Sequence, residues 1–147
     1  MKDLEKAKAL LLAPDSTYTC VLCRDDEQYT SEEKGIAPMM RFLDSGTRLD
    51  GFCAADRIVG KAAAMLMVLS GARACHGQTM SQAAVDFLQQ HRVAVTYQTC
   101  VPKIINRTGD GICPMEQAVL ELTDPQDAPQ AIRNKLAELA GAKKDAD

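Results

Sequence analysis

Residues 106–119 read NRTGDGICPMEQAV, a glycine-rich turn that hands a cysteine to a proline-led helix. A thiol at a helix start faces unpaired backbone N–H groups and the positive end of the helix dipole. Both favour the thiolate, which is the nucleophilic form. Cys113 is therefore a candidate nucleophile or redox thiol. The plainer alternative is a small buried residue ending a turn. Glu116 stands at the third helical position, from which a carboxylate reaches back to the N-cap backbone, here that of Cys113. Ahead of it, Gly109 and Gly111 let the backbone take positive φ. Successive N–H groups in such a turn form an anion-holding nest, and Arg107 can grip a phosphate or carboxylate through two parallel bonds. Asn106, Arg107, Thr108, Gly109, Asp110 and Gly111 are thus expected to bind ligand, the alternative being a solvent-exposed tight turn.

A second group lies in ADRIVGKAA at 55–63. It is not a phosphate loop. That pattern needs a glycine five residues before the Gly-Lys pair, where Ala55 stands, and Ser or Thr after the lysine, where Ala62 stands. Read as a helix over 55–69, the segment puts Asp56 at the helix start. There it is an acid/base group, or it pairs structurally with Lys61. Gly60 then falls inside the helix, at a cost of roughly 1 kcal/mol against alanine, which a close helix contact or a ligand would explain. Lys61 joins the ligand-binding candidates. So does His76, which shares a strand end with Cys75 and could serve as base or ligand. His91 closes a helix and suits capping. Cys20 and Cys23 have the spacing of a metal knuckle, but in a strand residues three apart point to opposite faces, which favours core packing. Zinc would need long-range assembly, for example of Asp56, His76 and Cys113. No metal and no cofactor is expected.

These residues need a scaffold, and 147 residues suit one domain with a real core. Hydrophobic residues make up 46% and aromatics only 4%, so Ala, Leu, Val, Ile and seven Met must fill that core. A net charge of −3 argues against a binder that grips nucleic-acid phosphates regardless of sequence. The longest apolar stretch, 62–69, is far below the roughly 20 residues a membrane helix needs. Six cysteines with no leading signal peptide point to reduced thiols in a cytoplasm.

The pattern predicts a helix over 2–12 with Leu4, Ala7 and Leu11 on one side, a hairpin over 16–30 turning at Asp25 and Asp26, and a short helix near 36–46. After the helix over 55–69 come a strand at 72–77, a helix over 79–91 whose Thr79 and Gln82 have capping-box spacing, and a strand at 93–98. Two further helices follow, over 114–122 and from Asp124 to Gly141. Residues 101–106 are open between strand and turn. Alternating strands and helices imply an α/β fold, a three-layer α/β/α sandwich with a mixed sheet opened by a β-hairpin. The crossover between the last two strands makes that pair parallel. The domain is expected to span 1–141, with 142–147 a frayed tail. In such sheets ligands bind beyond the C-terminal strand ends, where this reading places Cys75, His76 and Gln78.

Three segments, YTCVLCRDDEQYTSEEKGIAPMMRFLDSG, AADRIVGKAAAMLMVLSGARACHG and IINRTGDGICPMEQAVL, together resemble a bacterial and archaeal family of unknown function grouped with the cytidine deaminase-like fold. The resemblance runs from about residue 4 to residue 136. It implies a three-layer deaminase-like domain and a pocket location. It does not imply deamination. Zinc deaminases carry His-x-Glu or Cys-x-Glu at one helix start and Pro-Cys-x-x-Cys at the next, and the corresponding places here read AADRI and HGQTMS.

The expected function is binding of a small anionic or nucleotide-like ligand. If the protein is an enzyme, Cys113 attacks or cycles redox state, and Asp56 or Glu116 moves protons. A zinc deaminase with rearranged ligands is the first rival. The second is a catalytically silent module, working through a partner or a homo-oligomer, with Met39 and Met40 as an exposed adaptable pair.

Overall fold

Asp25 and Asp26 close a two-residue turn, with Asp25 at φ 52°, that folds β1 (Cys20–Arg24) against β2 (Glu27–Ser31) in antiparallel register. The computed structural model describes residues 2–106, 108–109 and 111–145. The remaining elements in chain order are α1 (Lys2–Leu12), α2 (Ala37–Asp44), β3 (Cys53–Val59), α3 (Lys61–Leu69), β4 (Ala74–Ser81), α4 (Gln82–Gln90), β5 (Ala94–Val101), α5 (Pro114–Val119) and α6 (Ala128–Asp145). They form an α/β fold around one mixed five-stranded sheet of order β2-β1-β3-β4-β5. β1 is antiparallel to β2 and β3, while β3, β4 and β5 run parallel, as the crossover required.

The first helix matches its pattern. Leu4, Ala7 and Leu11 are its buried residues, and Ala7 and Leu11 pack on Val21, Cys23 and Ala55. Cys20 and Leu22 point the other way, into the main core with residues of α2 to α6. The alternation of β1 therefore sends the two sulfurs of Cys20-Val-Leu-Cys23 to opposite faces. Arg57 ties α1 to the sheet. Its guanidinium donates to the carbonyls of Tyr18 (2.7 Å) and Leu11 (3.0 Å), the latter at the negative end of the α1 dipole.

The helix expected over 55–69 is instead a strand followed by a helix. Residues 53–59 form the central strand, and α3 starts only at Lys61, with Gly60 as its N-cap. Ala54 and Ala55 have no exposure, with helices packed close on both faces. The small side chains that suggest helix by propensity are here the ones that fit a strand enclosed on both sides. Asp56 accordingly sits in mid-strand rather than at a helix start.

Other boundaries shift for similar reasons. β4 runs on to Ser81, so Cys75 and His76 lie in its first half and not at its C-terminal end. Ser81, not Thr79, caps α4, accepting from the Ala84 amide at 3.1 Å. α6 continues past Gly141 to Asp145. Met39 and Met40 are buried core residues at 2% and 6% exposure, which removes them as an exposed adaptable surface.

Candidate functional site

Gly60 leads from the C-terminal end of β3 into α3 and has no side chain to cap it. The cap comes from a side chain 55 residues beyond Lys61. Glu116 of α5 accepts from the Lys61 amide through Oε1 at 2.7 Å and from the Ala62 amide through Oε2 at 2.9 Å. One carboxylate thereby satisfies two orphan N–H groups and sets a negative charge on the positive end of α3. The expected reach of Glu116 back to Cys113 does not occur. The Cys113 amide donates instead to the Ile104 carbonyl at 2.9 Å.

Space, not backbone angle, requires the glycine. Gly60 has φ −100°, which any residue adopts. A Cβ there would fall 2.5 Å from Glu116 Cδ, so the carboxylate would have to leave its two amides. Gly60→Ala is expected to destabilise the fold by about 2 kcal/mol in urea titrations. Glycine-to-alanine changes ordinarily stabilise through the unfolded chain, so a neutral or stabilising result would contradict this packing account.

Lys61 does not pair with Asp56. Its ammonium donates to the Leu120 carbonyl at 3.1 Å, at the end of α5. Two contacts thus lash α5 to the start of α3, one from each helix. Lys61 also borders a cleft of about 220 Å³ shared with α4 and the 122–123 connection.

The loop ahead of α5 is closed by an isolated bridge between Ile105 and Ile112. Within it, the Asn106 amide donates to the Gly111 carbonyl at 2.8 Å, and Asn106 Oδ1 accepts from the Gly109 amide at 2.9 Å and the Thr108 hydroxyl at 3.2 Å. Gly109 takes φ 77°, the left-handed conformation expected of it. Gln117 donates to the Ile112 carbonyl at 2.9 Å, fastening the loop to α5. Arg107 and Asp110 lie outside the described residues. Cys113 is the half-buried N-cap of α5.

Asp56 and His76 are placed elsewhere. Asp56 lies opposite Cys20 in the sheet and is 7% exposed. Burial pushes its carboxyl up to about 7, against hydrogen bonds from the Ile58 and Arg57 amides and the Cys20 thiol and the charge of Arg57. His76 is buried at 4% exposure, with Nδ1 2.7 Å from the Thr96 hydroxyl and Nε2 2.6 Å from Gln78 Oε1. Gln78 Oε1 accepts from Nε2–H, while the Thr96 hydroxyl can either donate to or accept from Nδ1. Both ring nitrogens are thereby engaged. Among the described residues no group of three or more His, Cys, Asp or Glu is gathered to hold a metal, and no helix is long and apolar enough to cross a membrane.

The long-range cap from Glu116 is the feature that residue-by-residue reading missed. The available signal was negative: a helix opening on Gly-Lys-Ala-Ala, with no Ser, Thr, Asp or Asn at its N-cap.

The architecture and the loop before α5 define an α/β domain with a mixed five-stranded sheet. A family model described as TM1506: Domain of unknown function (DUF1893) matches residues 8–136, and the chain belongs to that family. The crystal structure of a DUF1893 family protein (TM1506) from Thermotoga maritima shares the fold, with a TM-score of 0.77 and 23% identity over 93% of this chain and 90% of that one. No curated protein matches the chain.

Proposed function

We propose that the protein binds a small anionic, nucleotide-like ligand on a three-layer, cytidine deaminase-like scaffold, at the joint between the 105–112 loop and the start of α3. One observation carries this reading. Glu116 pins the helix that Cys113 opens to the C-terminal end of the parallel strand β3, and open α/β sheets bind ligands at that end. Lys61, whose ammonium also reaches the Leu120 carbonyl, supplies the positive charge. Each Glu116 oxygen is already engaged by an amide, so in this reading Glu116 positions Cys113 rather than moving protons. Asp56, buried in mid-strand opposite Cys20 and away from this joint, has no acid/base role in this reading. The helices after β3 and β4 open on Gly60-Lys61 and Ser81-Gln82, which are not zinc ligands, so this reading does not invoke zinc-dependent deamination. Six thiols, none in a disulfide among the described residues, fit a reducing cytoplasm.

Cys113 and Cys100 are the half-buried thiols, and the other four are buried. Cys100 therefore serves as an internal reference. Iodoacetamide rates, read residue by residue by peptide mass spectrometry, should show Cys113 reacting at least about tenfold faster than Cys100. A panel of nucleoside monophosphates and inorganic phosphate should slow Cys113 alone. Equal rates at the two positions, with no ligand protection, would make Cys113 a turn residue and remove this reading.

A further inference from the structure

Cys23 of β1 and Cys53 of β3 are direct partners in the antiparallel ladder. Residues so paired have Cα atoms about 4.5–5.5 Å apart, inside the roughly 4.4–6.8 Å window that a disulfide spans. Both side chains point to the α1 face. Cys23 packs with Ala7 and Leu11, and Cys53 with Leu4 and Ala74. Cys20 and Cys75 lie in the core on the opposite face, and Cys100 and Cys113 lie on β5 and at α5. No other two cysteines are ladder partners.

The surroundings of the pair go beyond packing. An open cleft of about 690 Å³ is lined by Lys2, Asp3, Lys6, Asp25, Asp26 and Arg73. Three of these act on the thiols. Arg73 donates to Cys53 Sγ at 3.7 Å while also pairing with Asp3 at 3.0 Å. The charges of Lys6 and Asp3 both reach Cys23, whose thiol burial holds above its ordinary range. Arg73 sets a positive charge against the Cys53 sulfur, and Cys23 lies beside it in the ladder, placed to act as the resolving sulfur. The full burial of both side chains restricts access to small oxidants.

We propose that Cys23 and Cys53 are a reversible oxidation site, joined by hydrogen peroxide into a cross-strand disulfide beneath α1. The Cys53 thiolate attacks one peroxide oxygen, the O–O bond breaks, and Cys53 becomes a sulfenic acid as hydroxide leaves with the departing electron pair. Cys23 sulfur then attacks Cys53 sulfur. The S–S bond forms, the S–O bond breaks, and the oxygen leaves as water with the Cys23 proton. Two thiols and one peroxide give one disulfide and two waters. A dithiol reverses the step by exchange.

The test treats the native full-length chain with hydrogen peroxide, then alkylates remaining thiols in denaturant and digests with trypsin. Cys23 falls in the fragment 9–24 and Cys53 in the fragment 49–57. The expected product is these two fragments joined with the loss of two hydrogens, cleaved again by dithiothreitol. Cys20→Ser should keep the link, because Cys20 shares the fragment but not the pairing. Cys23→Ser should abolish it, leaving Cys53 as sulfenic or sulfinic acid. The proposal is overturned if the folded wild-type chain, checked by circular dichroism, takes up oxidant without forming the link. A link that forms only in urea, or that survives Cys23→Ser, overturns it equally.

Discussion

Wild-type protein should lose about 4 kcal/mol of unfolding free energy, relative to Asp56→Asn, as pH rises from about 4 to about 8. The direction follows from where Asp56 sits. Its carboxyl lies in mid-strand, almost wholly out of water, and burial raises its pKa from 3.8 to about 7. Below the unfolded value both states hold the proton, and the stabilising contribution is complete. Between the two values the folded state holds a proton that the unfolded state has released, so stability falls as pH rises. Above about 7 both states are ionised and the loss is complete. A difference near three pKa units at 1.36 kcal/mol each gives the magnitude to order. Asparagine fills the same shape and does not ionise, so its curve lacks this slope whatever the baseline cost of the substitution. Urea titrations of both proteins at intervals across this range provide the check. Parallel curves would show that Asp56 does not bear its charge in an apolar site.

How far the fold was legible depended on whether a signal was local. The first helix carries its whole instruction in an i, i+3, i+4 stripe, and its bounds and buried residues were read as they stand. The hairpin was legible for the same reason, since a two-residue turn sets its register. The central strand was not. AADRIV looks helical by propensity, and it is a strand because two neighbouring strands pair with it and helices pack on both its faces. That enclosure is tertiary information, and propensity yields to it. The same error misplaced Asp56 and Gly60. Asp56 changed from a residue at a helix start to a carboxyl inside the sheet, and Gly60 from a helix interior to an N-cap. The left-handed Gly109 was legible from its residue type, yet the partner of Glu116 was not. A capping box is written within four residues, whereas this cap joins positions 55 and 54 apart.

That distance makes Glu116 the most informative single substitution in the candidate site. Glu116→Ala should destabilise the protein by about 3 kcal/mol, because two amides at the start of α3 lose a charged acceptor and no nearby side chain replaces it. For a domain of this size the melting temperature should fall by roughly 6–12 °C. Glu116→Gln keeps one acceptor oxygen and loses the charge, so it should fall between wild type and alanine. The sharper test is the cycle with Gly60→Ala. If the alanine methyl acts by evicting the Glu116 carboxylate, the loss cannot be suffered twice. The double variant should be destabilised by about 3 kcal/mol rather than about 5 kcal/mol, a coupling of about 2 kcal/mol. Additivity within about 0.5 kcal/mol would mean that glycine and glutamate act independently. The same cycle bears on Cys113. Its position relative to β3 depends on α5 being held to α3, so releasing Glu116 should change the Cys113 alkylation rate while leaving Cys100, on the far strand, as it was. A Cys113 rate unmoved by Glu116→Ala in protein that remains folded would separate the thiol from the cap, and the joint between loop and helix would then be a structural device alone.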